Sequence, residues 1–220
     1  MKKIALTTLL LSSIILTGTI TVHADDLNGQ STAKIGLTKQ DGDHPVGPID
    51  PLDPDNTPDD SNTPTGNTGD LRIDYISNID FGSQTISGKT ETYTAKAPAN
   101  MVEAQISDLR GTGAGWNLQV SYDSTNSGFT SGDKTLSGAE LFLPAGTSKT
   151  VQDSQSPAPT TNEITVNDSA QNIMTAATDS GLGTWADQMD TSKVTLKVPS
   201  GNLAGDYTAT LVWTLTDAPA

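Results

Sequence analysis

Carboxylates are the main candidates for acid–base catalysis, because the two histidines, His23 and His44, both lie near the N-terminus and cysteine is absent. Ser-His-Asp catalysis, thiol catalysis and the usual His or Cys zinc sites are therefore excluded after residue 44. A pair of carboxylates can hydrolyse a glycosidic bond, but no spacing among the four candidate glutamates selects a pair. We predict no enzyme, no catalytic residue and no cofactor. The candidates are Glu91, Glu103, Glu140 and Glu163.

A dense cluster of aspartates is the candidate for metal binding. Residues 41–70 contain eight aspartates and six prolines, with no lysine or arginine. A calcium loop is one interpretation, but the cluster lacks the glycine at loop position six and the glutamate at position twelve that shape an EF-hand site. Prolines favour an extended chain and like charges repel. We therefore predict no metal site and an extended linker over residues 41–69.

The N-terminus has the composition of an export signal. Lys2 and Lys3 precede an apolar run, and small residues, Val22 and Ala24, stand at the minus-three and minus-one positions of a cleavage site. A retained membrane span is the alternative, but eight Thr, Ser and Gly residues make this segment a poor match to a hydrocarbon core about 30 Å thick. We predict a cleaved signal peptide over residues 1–24 and no membrane insertion afterwards.

The net charge excludes several classes of partner. Removal of residues 1–24, which carry two lysines and no acid, changes the formal charge from −14 to −16. A chain this acidic is repelled by phosphate backbones and anionic lipid, so we predict no binding to nucleic acid or directly to membranes. No cysteine can accept a lipid, and no basic hydrophobic tail closes the sequence. We predict a secreted surface protein that has no covalent or membrane anchor.

The elements that must position any site are predicted to be short strands. Period-two runs between Gly, Pro, Asn and Asp residues are typical of a sandwich or barrel. We predict an all-β domain over residues 70–220, with about eight to ten short strands and one short helix near residues 169–177, capped by Asn167 or Asp168. A further strand is predicted in the N-terminal segment, residues 25–40. The eight runs are 71–75, 91–97, 101–108, 116–122, 139–143, 164–166, 194–198 and 207–216.

Two of these strands carry the same Trp-x-Leu pattern. Trp116 and Leu118 share one face of the first, and Trp213 and Leu215 share one face of the last, because side chains alternate along a strand. The alternation with other apolar residues favours a core role, since an indole buries on the order of 200 Å² and the chain has few aromatic residues. The alternative is a stacking platform for sugar rings.

The order of these motifs resembles that of the WxL-domain family of surface proteins from low-GC Gram-positive bacteria, in its short form of signal peptide, linker and WxL domain. The resemblance covers essentially the whole mature chain. A series that closes on a second Trp-x-Leu motif near the C-terminus is far more specific than one such motif. The matching stretches are 69–75 with 81–82, 102–108 with 110–111, 115–118, 176–185, 194–199 and 205–215.

The resemblance implies non-covalent attachment to the cell wall through peptidoglycan, and it names Trp116, Leu118, Trp213 and Leu215 as the motif residues for binding. It also implies a membrane-anchored partner, a WxL-interacting protein, that supplies some or all of the wall contact. Other WxL proteins are further candidate partners. A wall hydrolase that uses two carboxylates is the remaining alternative.

Arg110 is the one cation next to the first motif. It either pairs with Asp108, binds a carboxylate of a wall peptide, or stands exposed in the turn made by the three glycines at positions 111, 113 and 115. The sequence favours the exposed turn, because surface ion pairs contribute little and turns attract polar residues.

Overall fold

The computed structural model describes residues 32–38, 64–96, 100–150 and 154–217. The chain divides into two compact units, residues 1–36 and residues 37–220. The predicted signal peptide and most of the predicted linker lie outside the described residues. Residues 32–38 are exposed and contain no strand. The strand predicted there is therefore not formed by these residues, because an alternating pattern makes a strand only beside a second strand that supplies hydrogen bonds.

Fourteen strands and one turn of 3-10 helix, Thr191–Lys193, make up the regular structure of the described residues. The strands are β1 (Leu71–Ile76), β2 (Glu91–Thr94), β3 (Met101–Asp108), β4 (Trp116–Tyr122), β5 (Thr130–Ser131), β6 (Lys134–Thr135), β7 (Glu140–Leu143), β8 (Thr147–Thr150), β9 (Thr160–Thr161), β10 (Ile164–Thr165), β11 (Gln171–Ala176), β12 (Gly183–Asp190), β13 (Thr195–Val198) and β14 (Leu211–Thr216).

Three four-stranded antiparallel sheets share one core. Sheet 1 has the order β1-β3-β12-β8, sheet 2 the order β10-β7-β13-β2, and sheet 3 the order β14-β4-β11-β9, while β5 and β6 form a separate hairpin. Ile106 of sheet 1, Leu196 of sheet 2 and Val120 of sheet 3 belong to the same buried cluster. The prediction of an all-β, sandwich-like domain is therefore confirmed.

The predicted helix is wrong, because its residues form β11. This strand pairs with β4 and β9, and its register against β4 shifts between Asn172 and Met174. Ile173 and Met174 are consequently both buried. A bulge of this kind breaks the period-two pattern and gives apolar spacings that imitate a helix. Asn167 accepts a hydrogen bond from the amide of Ser169 (2.8 Å) in a turn, not at a helix N-terminus.

The described residues contain more strands than the eight to ten predicted. Four of the fourteen have only two residues. The long strand β12 was not predicted, because buried polar residues accompany its buried Trp185 and Met189. Gln188, for example, is buried and donates a hydrogen bond from Nε2 to Oε1 of Glu103 on β3 (2.7 Å). Such a strand shows no alternation of polar and apolar residues.

Candidate functional site

The two Trp-x-Leu motifs meet on neighbouring strands of sheet 3. The final strand, β14, pairs antiparallel with β4 without a register shift, so that Trp213 lies opposite Val120 and Leu215 lies opposite Leu118. Directly opposed residues of an antiparallel pair project to the same face of the sheet. The two motifs therefore form one continuous apolar surface.

The first motif lies within the core. Trp116 and Leu118 are both 0% exposed. The indole Nε1 of Trp116 donates a hydrogen bond to the carbonyl oxygen of Gly181 (3.1 Å), which satisfies its only polar group. A side chain with no accessible surface cannot contact a wall polymer. Trp116 and Leu118 thus stabilise the fold, and the core interpretation holds for this half of the predicted binding set.

Two glycines allow the chain to pass closely beside Trp116. Gly181 has a φ of +69°, and a Cβ there would lie 2.5 Å from the Cβ of Ala176. Gly115 has a φ of +77°, and its Cβ would lie 2.5 Å from the carbonyl oxygen of Ala176. Both the left-handed backbone and the lack of space therefore require glycine at these positions.

Arg110 contacts Asp108 and Gly115, which precede the first motif, and Asp217, which follows the second. Its Nε and Nη2 donate to the two carboxylate oxygens of Asp108 (2.9 and 2.8 Å), and Nη2 also donates to the carbonyl oxygen of Gly115 (2.9 Å). Its Nη1 pairs with Asp217, directly after β14. The hydrogen bond with Asp108 raises the pKa of Arg110. The guanidinium is thus engaged within the fold, and the exposed turn favoured by the sequence is wrong.

The second motif is only partly covered. Trp213 and Leu215 are half-buried and pack against the core, and β14 is the end strand of sheet 3. Trp213 lines two depressions, a large groove and a shallower one. Of the four motif residues, Trp213 is the one that the structure places at an accessible concave surface together with several other aromatic side chains.

The large groove, which we call the aromatic groove, has a volume of about 1120 Å³. Two segments supply most of its lining: residues 76–87, which we call its first side, and residues 198–211, which we call its second side. Tyr93, Phe129 and Trp213 also line it. Tyr207 lies on the second side and is half-buried. Ligand grooves of a few hundred to about a thousand cubic ångströms are common in binding proteins. The aromatic groove is therefore our candidate functional site.

Hydrogen bonds fix the second side of the aromatic groove. Asn202 accepts a hydrogen bond from the amide of Ser137 (2.7 Å) and donates to the carbonyl oxygens of Ser137 (3.1 Å) and Pro199 (3.0 Å). Lys134 donates to the carbonyl oxygen of Ala204 (2.8 Å), and the Tyr207 hydroxyl donates to that of Leu203 (3.0 Å). A loop anchored at so many points presents a preformed surface.

The first side is also tied to the sheets. The amide of Ser77 donates to the Glu103 carbonyl oxygen (2.9 Å), and the amide of Lys96 donates to that of Asp80 (2.7 Å). The Asp80 carboxylate accepts a hydrogen bond from the amide of Gly82 (2.7 Å) in a local turn. Ser87 Oγ donates to Oε1 of Glu91 on β2 (3.0 Å). Both sides of the groove are therefore held by contacts with residues outside the lining loops.

The lining of the aromatic groove carries little charge. Asp80, Lys89 and Asp206 are its charged side chains, whereas the whole chain has a formal charge of −14. Two exposed apolar side chains stand in the lining, Ile86 on the first side (62% exposed) and Leu203 on the second (64% exposed). The groove thus offers aromatic rings, amides and hydroxyls to a ligand of low charge.

Sequence patterns did not identify most of this groove. Tyr207 was predicted as part of a strand, and Leu203 and Ile86 lie in irregular segments where no period exists. A large apolar residue among Gly, Asn and Ser residues was the available signal, as in Gly201-Asn202-Leu203-Ala204-Gly205. Such a residue is out of place in an ordinary polar loop.

A carboxylate with a strongly raised pKa lies outside the lining of the groove. Asp187 on β12 is completely buried, and neither carboxylate oxygen has a hydrogen-bond partner. Burial raises the pKa of Asp187 to about 7. The backbone amide of Gly146 acts in the opposite direction, but burial has the larger effect. Ser148, opposite Asp187 on β8, also has a buried hydroxyl without a partner.

Within the described ranges, no helix has both the length and the apolar composition required to cross a membrane. The same residues contain no cluster of three or more His, Cys, Asp or Glu side chains arranged to hold a metal ion.

Comparison with known proteins connects this fold to the cell surface. The family model described as "WxL domain surface cell wall-binding" matches residues 24–219, which include both motifs and the aromatic groove. No curated protein and no solved structure matched the chain.

Proposed function

The chain belongs to the WxL family of surface cell-wall-binding domains, and from that premise we propose that the aromatic groove binds peptidoglycan. The observation that supports this proposal is the position of Trp213. It is the accessible tryptophan of the two motifs, and it lines a groove that also contains Tyr93 and Tyr207. Aromatic rings stack on the apolar faces of sugars, and amide groups beside them can bond to sugar acetamido groups and peptide carbonyls.

Charge favours the neutral parts of the wall as the ligand. Polyanionic wall polymers are repelled by a chain with a formal charge of −14. A glycan strand with short peptides carries far less charge, and it meets a lining with only three charged side chains. Binding by stacking and hydrogen bonds is expected to depend weakly on salt, because screening acts mainly on exposed charges.

Co-sedimentation of the purified mature chain with washed wall sacculi tests this proposal. We expect Trp213→Ala and Tyr207→Ala each to weaken binding about tenfold, which corresponds to roughly 1.4 kcal/mol. Val212→Ala is the matched control, because Val212 is exposed on the opposite face of β14. Binding that survives both groove substitutions unchanged in folded protein would remove the aromatic groove as the wall-binding site.

A membrane-anchored WxL-interacting protein is the second candidate ligand. The observation that favours it is the exposed apolar pair Ile86 and Leu203, since exposed apolar side chains in a groove also suit a protein partner. The two candidates differ in a simple experiment. Direct wall binding predicts retention on sacculi from cells that lack the partner, whereas partner-mediated retention predicts release.

We also propose that the chain is secreted after cleavage of residues 1–24 and has no catalytic activity of its own. N-terminal sequencing of the surface protein tests the cleavage, with Asp25 expected as the first residue. Incubation with sacculi tests the second part, and we expect no release of soluble muropeptides. Release of muropeptides that disappears when one glutamate is replaced would instead favour a wall hydrolase that uses two carboxylates.

A further inference from the structure

The final strand of sheet 3 has an open edge. Among the described residues, the backbone of β14 is paired with β4 alone, and β14 ends the sheet. Its sequence, Leu-Val-Trp-Thr-Leu-Thr, contains no charge and no proline, and its pairing shows no bulge. Charges, prolines and bulges are the usual means by which an end strand avoids adding a further strand. A six-residue uncharged edge without any of these features is suited to receive an added strand.

Space for an added strand lies beside this edge. A depression of about 660 Å³ is lined by Trp213, Thr214 and Leu215 of β14 and by Leu71 and Ile73 of β1, the end strand of sheet 1. Trp213 and Leu215 are half-buried on the face that continues the core. A strand added here would place its own alternate residues next to them and extend the apolar face.

A matching segment exists in the same sequence. Residues 32–38 read Thr-Ala-Lys-Ile-Gly-Leu-Thr, with three apolar residues in alternation, and their length suits the six residues of β14. Ile35 is 86% and Leu37 is 88% exposed. This pattern predicts a half-buried strand, yet the described residues 32–38 form no strand.

Residues 32–38 and the β-domain carry charges of opposite sign. Residues 32–38 contain one lysine, Lys34, and no acidic residue, whereas residues 64–217 carry 17 acidic and eight basic residues. The segment therefore has a formal charge of +1 and the β-domain one of −9. Electrostatic attraction of this kind favours association of the two and speeds their encounter.

We infer that residues 32–38 of a second copy of this chain pair with β14 as an added strand. Residues 32–38 are exposed and form no strand, and among the described residues β14 pairs with β4 alone, so we assign the added strand to another copy. The 25 residues between them and residue 64 can span up to about 80–90 Å when extended, which exceeds the diameter of one domain. Each copy offers one segment and one edge, so reciprocal exchange closes a dimer and one-way exchange builds a chain.

Disulfide trapping tests the pairing directly, because the natural chain has no cysteine. One preparation of the mature chain carries Thr38→Cys and another carries Thr214→Cys, both at exposed positions. After mixing and mild oxidation, we expect covalent heterodimers at several times the yield of a control mixture in which Thr92→Cys, on the end strand of sheet 2, replaces Thr214→Cys. Equal yields from the two mixtures would overturn the inference.

A chain with Thr38→Cys and Thr214→Cys together distinguishes the source of the segment. The inference predicts covalent dimers and larger species on a denaturing gel. A monomer that gains an internal disulfide, at every protein concentration, would show that the segment serves its own domain and would contradict exchange between copies.

Light scattering supplies a second readout that needs no cysteine. The molar mass of the mature chain should rise with concentration, and the combined Ile35→Asp and Leu37→Asp variant should remain monomeric. The matched control, Thr32→Asp with Thr38→Asp, adds the same charge at polar positions and should retain more association. These residues are exposed, so the variants should fold. Sacculus binding by the variants is measured separately, so failure of this inference leaves the proposed wall binding intact.

Discussion

Replacing Asp187 with asparagine should change the pH dependence of the free energy of unfolding. Burial raises the pKa of this carboxyl from 3.8 to about 7. Below about pH 3 the group is protonated in both the folded and the unfolded chain, and it has no effect. Between pH 4 and 7 the unfolded chain releases its proton first, so the free energy of unfolding falls as the pH rises. Above pH 7 the free energy of unfolding has fallen by nearly the full amount that this shift in pKa allows.

The size of this loss follows from the shift in pKa. A difference of about three units corresponds to roughly 4 kcal/mol, at about 1.4 kcal/mol per unit. Asparagine has nearly the same shape and never ionises. The Asp187→Asn variant should therefore exceed the stability of the natural chain by less than about 1 kcal/mol at pH 4 and by up to about 4 kcal/mol at pH 8, a rise of about 8–16 °C in Tm.

Urea unfolding of both chains at pH values from 4 to 9 measures this difference. The control is Asp190→Asn, which removes the same charge from an exposed carboxylate whose pKa is lowered by hydrogen bonds from Ser192. The control should not become more stable than the natural chain at high pH. If Asp187→Asn and the natural chain give parallel stability curves over the whole range, the carboxyl is not buried as the structure places it.

Three substitutions test the structural roles around the motifs. Trp116→Ala should lower the free energy of unfolding by about 3–5 kcal/mol, because its indole is completely buried, as chemical denaturation would show. Gly181→Ala should lower Tm by at least 4 °C more than Gly201→Ala, since both glycines have positive φ but only Gly181 lacks room for a Cβ. Arg110→Gln should lower the free energy of unfolding, measured in urea, by about 3 kcal/mol, because it leaves Asp108 buried without its cation. An unchanged unfolding midpoint in any of the three variants would contradict the role assigned to that residue.

Alternation identified the strands that bury one apolar face. The predicted bounds of β3 and β4 agree with the structure, and both strands supply several buried apolar residues. The alternation of polar and apolar residues failed to predict strands whose buried side chains do not follow that alternation. Strand β8 contains no apolar residue, β12 buries polar side chains, and the bulge in β11 gave a helical spacing. Pairing with neighbouring strands, which is a property of the whole fold, decides these elements.

The motif residues were predictable, but their separate roles were not. Trp116 and Trp213 have similar neighbours in sequence, and period two places each on an apolar face. Their difference arises from sheet order, since β4 lies inside sheet 3 and β14 ends it. Tyr207 and Leu203 join Trp213 through loops that hydrogen bonds of Asn202 and Lys134 hold in place. No local pattern encodes such long-range contacts.

Fluorescence quenching of the natural chain tests the proposed wall site most directly. Trp116 and Trp185 are buried, so acrylamide should quench mainly Trp213 in the aromatic groove. Soluble peptidoglycan fragments that occupy the groove should reduce this quenching in a saturable manner, with the same midpoint as binding measured by calorimetry. Fragments that bind in calorimetry yet leave the quenching of Trp213 unchanged would contradict the proposal that the aromatic groove holds the wall.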